Sequence, residues 1–233
     1  MPASHYFTPR PDGPAAFSTF PLRFRDRTYS WVSAAGVFSR DHFDFGSRAL
    51  LETAELPTEG RLLDLGCGTG ALGLLAAVES PGLWVCLADI NERALECARR
   101  NRDGLELAGR AAIVQGSFVE PFRNGRFDAI VFNPPIRLGK APILAAFERL
   151  PAALAPGGRL FVVARVQQGA RSLLAHLELV FEGRAYVAGR RKGYLVLRAD
   201  VPGVDSKGAA HPDLRAAGST IPGAPQRPPE TAK

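Results

Sequence analysis

Two short loops carry the residues best suited to chemistry, Asp64-Leu-Gly-Cys-Gly-Thr-Gly70 and Asn133-Pro-Pro-Ile136. Each follows an apolar, strand-like run, residues 61–65 and 127–132. Glycine has no side chain and tolerates positive φ, so the first loop lets backbone approach a nucleoside cofactor closely. The second loop is stiff, because Pro135 biases Pro134, and Pro134 biases Asn133, away from the α region. It offers two hydrogen-bond acceptors, the Asn133 side-chain oxygen and the Pro134 carbonyl. One loop is read as holding a cofactor and the other as gripping an amine.

The glycine loop alone is ambiguous. Gly66-Cys-Gly68-Thr-Gly70 fits the GxGxG of S-adenosylmethionine enzymes, whereas Gly68-Thr-Gly70-Ala-Leu-Gly73 fits the dinucleotide fingerprint equally well. Asp89 follows the next strand, where either kind of protein needs a carboxylate for ribose hydroxyls. Two features separate the readings. Asp64 would repel a pyrophosphate but suits a cationic amino-acid end, and hydride transfer has no use for Asn133-Pro-Pro-Ile136. Taken singly, each glycine is as readily a tight turn, and Asp64 or Asp89 a helix-capping acid. The ordered set implies methyl transfer to a planar exocyclic NH2.

The elements that must position these loops follow from the apolar pattern. Strands are expected at 61–65, 83–88, 111–115, 127–132, 158–164, about 179–187 and 193–199. Helices are expected at about 70–79, 91–102, 141–154 and 167–177. Strand–helix alternation predicts an α/β fold, a Rossmann-like, seven-stranded, mostly parallel sheet with helices on both faces. The link 188–192 is too short for a parallel crossover, so the last strand must be antiparallel. In such a sheet ligands bind beyond the carboxyl ends of the strands, which brings together residues 64–70, Asp89, Ser117 and Asn133. Ile90 is then placed to cover an adenine face, and Ser117 or the Phe118 amide to meet its edge.

Residues 1–60 are read as an N-terminal extension packed on the core. Phe20, Leu22, Phe24, Tyr29 and Trp31 alternate around residues 25–28 as in a β-hairpin, and Ser47 is expected to cap a helix running to about Glu55. Residues 61–200 form the catalytic domain. Residues 201–233 hold 6 Pro and 4 Gly and little that could be buried, so they are expected to be a disordered tail. Trp31 and Trp84 are assigned to packing. Arg190, Arg191 and Lys192 make a basic turn between the last two strands, either at the far end of the sheet or beside the site.

The net charge is +6, and residues 61–199 carry 19 Lys/Arg against 12 Asp/Glu. That surplus favours a polyanionic partner such as RNA, although 25 Arg to 4 Lys equally suits a composition bias. Three cysteines, Cys67, Cys86 and Cys97, have no metal-ligand spacing and read as reduced structural thiols, so no metal is expected. The four histidines share no spacing. No leader pattern opens the chain and no apolar run approaches the ~20 residues of a membrane span. A soluble, cytoplasmic protein is expected.

Four blocks carry a family resemblance: Gly36-Val-Phe-Ser-Arg-Asp-His-Phe-Asp-Phe-Gly-Ser47, Leu62 to Gly70, Ala88-Asp-Ile-Asn-Glu-Arg-Ala-Leu95 and Asn133-Pro-Pro-Ile-Arg-Leu-Gly-Lys140. Over roughly residues 20–199 the chain resembles the catalytic half of small-subunit ribosomal RNA guanine-N2 methyltransferases of the C type and their single-domain relatives. The resemblance implies that Phe38 lies near S-adenosylmethionine, that Asp64 and Gly66, Gly68 and Gly70 hold its methionyl part, and that Asp89 holds its ribose. It implies catalysis by Asn133, Pro134, Pro135 and Ile136 and a ribosomal RNA partner. The two-domain members carry a further amino-terminal domain, for which 233 residues are too few. Ser117 stands where many relatives have Asp, and Ile136 where amine-methylating families place an aromatic.

An aryl NH2 is a poor nucleophile, so accepting both N–H bonds at Asn133 and Pro134 would position it and shift charge toward reaction without a general base. Arg137 and Lys140 lie within reach of a phosphate or base edge. Two other functions share these features: methylation of a protein glutamine amide, and a cofactor-binding RNA or ribosome assembly factor without turnover.

Overall fold

The computed structural model describes residues 9, 15–38, 41–117, 122 and 126–203. A hairpin of β1 (Phe17–Phe24) and β2 (Arg27–Ala34) leads to α1 (Phe45–Thr53). Then come β3 (Glu59–Leu65), α2 (Ala71–Glu79), β4 (Gly82–Asp89), α3 (Glu92–Gly104), β5 (Ala111–Gln115) and β6 (Phe127–Phe132). The chain continues through α4 (Lys140–Phe147), α5 (Leu150–Ala153), β7 (Leu154–Arg165), α6 (Ala170–Val180), β8 (Ala185–Arg191) and β9 (Tyr194–Asp200).

The main sheet has the order β5-β4-β3-β6-β7-β9-β8, with only β9 antiparallel to its neighbours. This is the Rossmann-like sheet expected from the sequence, beside a separate two-stranded hairpin. Its inner strands β3, β4, β6, β7 and β9 are buried on both faces over most of their pairing length, which is why they read as near-continuous apolar runs, while the edge strands β5 and β8 are more exposed. Alternate side chains serve opposite layers. Leu62, Val85, Leu87, Val131 and Phe161 pack with α1, α2, α3 and the hairpin residues Leu22, Phe24 and Trp31. Leu63, Leu65, Ile130, Phe132 and Val162 pack with Ile143 and Phe147 of α4 and Leu173 and Leu177 of α6.

Three expected boundaries are displaced. The helix expected over 141–154 breaks into α4 and α5, because Pro151 has no N–H and its ring clashes with the carbonyl of Phe147; Leu154 already belongs to β7. The apolar stretch at 179–181 closes α6 rather than opening β8, since Leu173, Leu177 and Phe181 continue one buried helical face. Helix α1 is capped by Asp44, whose carboxylate accepts the Ser47 N–H at 2.8 Å, so Ser47 lies inside the helix and is buried. Asp caps as well as Ser and stands three residues earlier.

Val201 and Pro202 still bond to the backbone of residues 157–158. The rest of the expected tail, from residue 204, lies outside the described residues, as does Phe118.

Candidate active site

Strand order reverses between β3 and β6, which lie side by side in parallel with Leu65 opposite Phe132. The next residues on each strand are Gly66 and Asn133, so the two loops leave neighbouring strands at one level, where strands are ~4.8 Å apart. β4 brings Ala88 opposite Leu65, and the Cys67 N–H continues the ladder to the Ala88 carbonyl at 2.9 Å. Asp89 thereby stands beside the glycine loop.

Within that loop Gly68 has φ +56°, and a Cβ there would meet no atom within 4 Å. The space in front of it is open, as a cradle for a ligand requires. Gly73 differs: a Cβ would lie 2.6 Å from Leu87 and 2.8 Å from Val85, so its absence lets α2 press on the sheet. The loop is braced from the hairpin side. Trp31 Nε1 donates to Thr69 Oγ1 at 2.9 Å, and Asn101 Nδ2 donates to the carbonyls of Val32 and Thr69.

Asp64 is buried, and its Oδ2 accepts the Gly73 N–H at 2.8 Å while Oδ1 has no partner. Burial pushes its carboxyl up to about 7, against the Gly73 N–H, with help from the Asp89 charge. An unsatisfied buried carboxylate oxygen is costly unless a cation meets it, which fits the ammonium of a methionyl group. Asp89 accepts the Gly68 N–H at 2.8 Å on one oxygen and the Asn91 N–H at 2.9 Å on the other. It pins the glycine loop to the start of α3, and the carboxylate keeps acceptor capacity for a ribose hydroxyl. Burial raises its pKa, opposed by these N–H groups. The acceptor set therefore fits a nucleoside with a cationic amino-acid end.

The other expected contacts fall around this crevice. Gly36, two residues before Phe38, accepts from the Asn91 side chain at 3.2 Å, which brings that segment to Asp89; the Phe38 ring is 53% exposed. Ile90 and Ser117 are half-buried, and the Gly116 N–H bonds to the Asp89 carbonyl at 3.0 Å. The cysteines are buried and free; burial pushes Cys86 and Cys97 up to about 12 and raises Cys67 well above the usual thiol range, with the charges of Asp89 and Asp64 adding to the rise. None is a nucleophile at neutral pH. Among the described residues there is no group of side chains arranged for a metal ion, and no helix long and apolar enough to cross a membrane.

The Asn133 loop has a feature that the sequence reading missed. Asn133 Nδ2 donates to Asp44 Oδ2 at 3.0 Å and to Ser47 Oγ at 2.9 Å. A carboxylate only accepts, so the amide nitrogen must face Asp44, and Oδ1 is turned the other way. Among the described residues no donor meets Oδ1. Pro135 (φ −74°, ψ 78°) makes an inverse γ-turn in which the Ile136 N–H bonds to the Pro134 carbonyl at 2.8 Å. That carbonyl keeps its second lone pair. Ile136 packs against the Phe132 layer. The available signal was Asp44, a cap-type residue before an apolar helix.

The methyltransferase small domain profile matches residues 28–198. The Bacillus subtilis protein YbxB, itself uncharacterized, is 33% identical over 198 residues, covering 84% of this chain and 98% of its own. Ribosomal RNA small subunit methyltransferase C of Klebsiella pneumoniae is 41% identical over 133 residues, 55% of this chain and 38% of that protein. Among solved structures, the T. thermophilus 16S rRNA N2 G1207 methyltransferase RsmC, in complex with AdoMet and guanosine, superposes with a TM-score of 0.71 at 27% identity. It shares 82% of this chain and 52% of its own, so the present chain spans about half or less of these rRNA methyltransferases. With a profile match over most of its length and a crevice that fits S-adenosylmethionine, the chain belongs to the methyltransferase small-domain family and is an S-adenosylmethionine-dependent methyltransferase.

Proposed function

We propose that the protein methylates an exocyclic amine of an RNA base, guanine N2 of small-subunit ribosomal RNA in particular, in the cytoplasm. The observation that carries this reading is the fixed Asn133 amide, whose oxygen is presented one strand away from the glycine loop. S-adenosylmethionine supplies an electrophilic methyl on a sulfonium sulfur. Asp64 and Asp89 are assigned to its ammonium and ribose, and Phe38, Ile90, Ser117 and Phe118 to its adenosine end. Asn133 Oδ1 and the Pro134 carbonyl accept the two N–H bonds of the substrate amine and hold its nitrogen toward the methyl. The amine lone pair would form the new N–C bond as the sulfonium S–CH3 bond breaks, its electron pair going to sulfur to leave the thioether S-adenosylhomocysteine, and the proton, acidic only after transfer, would leave to water. Pro135 keeps the loop stiff, and Ile136 covers the base edge. An unpaired base is presented at less cost than one extruded from a duplex.

The name of the T. thermophilus neighbour supports this substrate, and so does the basic surplus of residues 61–199. The test is incubation with radiolabelled cofactor and, separately, small ribosomal subunits, free rRNA and release factors. Label in guanosine N2 is the expected result. Label in a protein glutamine would overturn it in favour of amide methylation, and tight RNA binding without label would mark an assembly factor.

A further inference from the structure

The turn between β8 and β9 lies at the active-site end of the sheet. β7 runs parallel to β6, and its last residue, Arg165, pairs with Tyr194 at the start of β9. Lys192 (φ +42°) and Gly193 (φ +81°) form the two-residue turn, and the Val166 N–H bonds to the Gly193 carbonyl at 2.9 Å. Between this turn and the first turn of α6 is a cleft of about 210 Å³, walled by Arg171, Arg190, Arg191, Lys192, Val166 and Tyr194, with no acidic side chain in its lining.

Several arginines outside this cleft are neutralised. Arg25, Arg99, Arg100, Arg102, Arg184 and Arg198 each meet a carboxylate. Arg191 is neutralised by Glu52 at 2.7 Å, but Arg171 and Arg190 have no carboxylate partner among the described residues. Lys140 lies against Gly169, which caps α6 without a side-chain acceptor for the first helical amides. Unpaired guanidinium groups around a concave site match a phosphodiester, which accepts from both arms of the fork. The wall is rigid: Arg165 Nε donates to the Tyr194 hydroxyl at 2.6 Å and its guanidinium covers the ring at 4.8 Å. Tyr194 also packs at 5.4 Å on Phe45, the residue after Asp44, and a Cβ on Gly46 would lie 2.9 Å from its ring. The cleft and the support of Asn133 thus share a wall.

We infer that this cleft binds a backbone phosphate of the RNA strand beside the target nucleotide, with Arg171 and Arg190 as the two principal contacts. The inference rests on the RNA reading of the site, but binding can be measured without turnover. The test is anisotropy of a labelled single-stranded RNA against salt, with the full chain, the Arg171→Ala/Arg190→Ala variant, and Arg99→Ala on α3 as a charge control. Two lost phosphate contacts should flatten the slope of log K on log salt by about 1.4 and weaken binding at least fivefold at low salt. Cofactor affinity and the Arg99→Ala slope should stay at the wild-type value. An abasic oligonucleotide should show the same loss, because the backbone is what is read. Equal slopes for wild type and variant, no measurable wild-type binding, or an acidic peptide competing as well as RNA would each overturn it. Arginine-dependent RNA binding with no label in RNA would sink the methylation reading alone. Label in RNA with a slope indifferent to both arginines would sink only the phosphate site.

Discussion

Asp44 holds the amide of Asn133 by its nitrogen, at 3.0 Å, with the same oxygen that caps α1 through the Ser47 N–H at 2.8 Å. The residues are 89 apart in sequence, and the bond decides which end of the amide faces the crevice. A helix start is thereby coupled to the loop that is proposed to grip the substrate amine. The shared oxygen also explains why Gly46 follows: a Cβ there would stand 3.0 Å from it and against Tyr194.

The glycines of the cofactor side should separate by function. Gly68→Ala introduces a methyl into open space at φ +56°, so its expected effect on stability is limited to about 1 kcal/mol of backbone strain. Its effect on cofactor binding should be large, at least tenfold. Gly73→Ala drives a methyl into Leu87, Val85 and Asp64 and should destabilise by about 1–3 kcal/mol. Urea unfolding and calorimetry with S-adenosylhomocysteine measure both, and equal binding loss per unit of stability would refute the distinction.

Asp64→Asn should reveal the buried carboxyl through pH. The group titrates at about 7 in the folded protein against an ordinary 3.8. Between those values the folded chain keeps a proton that the unfolded chain has lost. Its contribution to stability is therefore full below about pH 4 and is lost as pH rises to about 7, with a ceiling of roughly 4 kcal/mol. The ligand-free variant does not titrate there, so its Tm relative to wild type should climb from pH 4 to 7 and then level. Cofactor binding should move oppositely: wild-type affinity rises up to tenfold per pH unit below 7 as the carboxylate forms, while the variant binds weakly and without that slope. A variant that binds as tightly as wild type would remove Asp64 from the site.

Thr69→Val tests the brace between hairpin and glycine loop. Valine keeps the shape and removes the acceptor, leaving the Trp31 Nε1–H buried and unpaired, a loss of about 1–3 kcal/mol. Cofactor affinity should fall with it, since residues 66–70 lose an anchor. Denaturant unfolding and the same calorimetry check both halves, and a stability change under about 0.5 kcal/mol would show the bond to be idle.

What the sequence made legible was local or periodic. The glycine loop, Asp89 and the Asn-Pro-Pro loop all follow apolar strands, so topology alone brought them together at the switch point. Buried strands announced themselves because both faces are covered, whereas Leu179 to Phe181 misled because an apolar run at a helix end looks the same as one at a strand start. Contacts between distant residues left no trace: nothing in residues 43–47 names Asn133 as a partner, and nothing in Arg190-Arg-Lys192 says at which end of the sheet the turn lies. Both are set by tertiary register, Leu65 against Phe132 and Arg165 against Tyr194.

The proposed chain of action from Asp44 through Asn133 to the amine predicts a specific non-additivity. Asn133→Ala removes one oriented acceptor and should lower kcat by about 10²–10³ with little change in cofactor affinity. Asp44→Ala leaves the amide held by the Ser47 hydroxyl alone, which can serve either end of it, and should lower kcat by about 10–10², beyond the ~1 kcal/mol of stability that losing a helix cap removes. Because Asp44 acts through Asn133, adding Asp44→Ala to Asn133→Ala should cost almost nothing more in kcat, although the stability losses still accumulate. Asp44→Asn keeps an oxygen for both donors and should recover most of the rate. Were Asp44 only a cap, Asp44→Ala would unfold more easily yet keep wild-type kcat per folded molecule. Single-turnover methyl transfer at saturating cofactor separates these outcomes. A double variant slower than Asn133→Ala by the full Asp44→Ala factor would show that the two residues act independently.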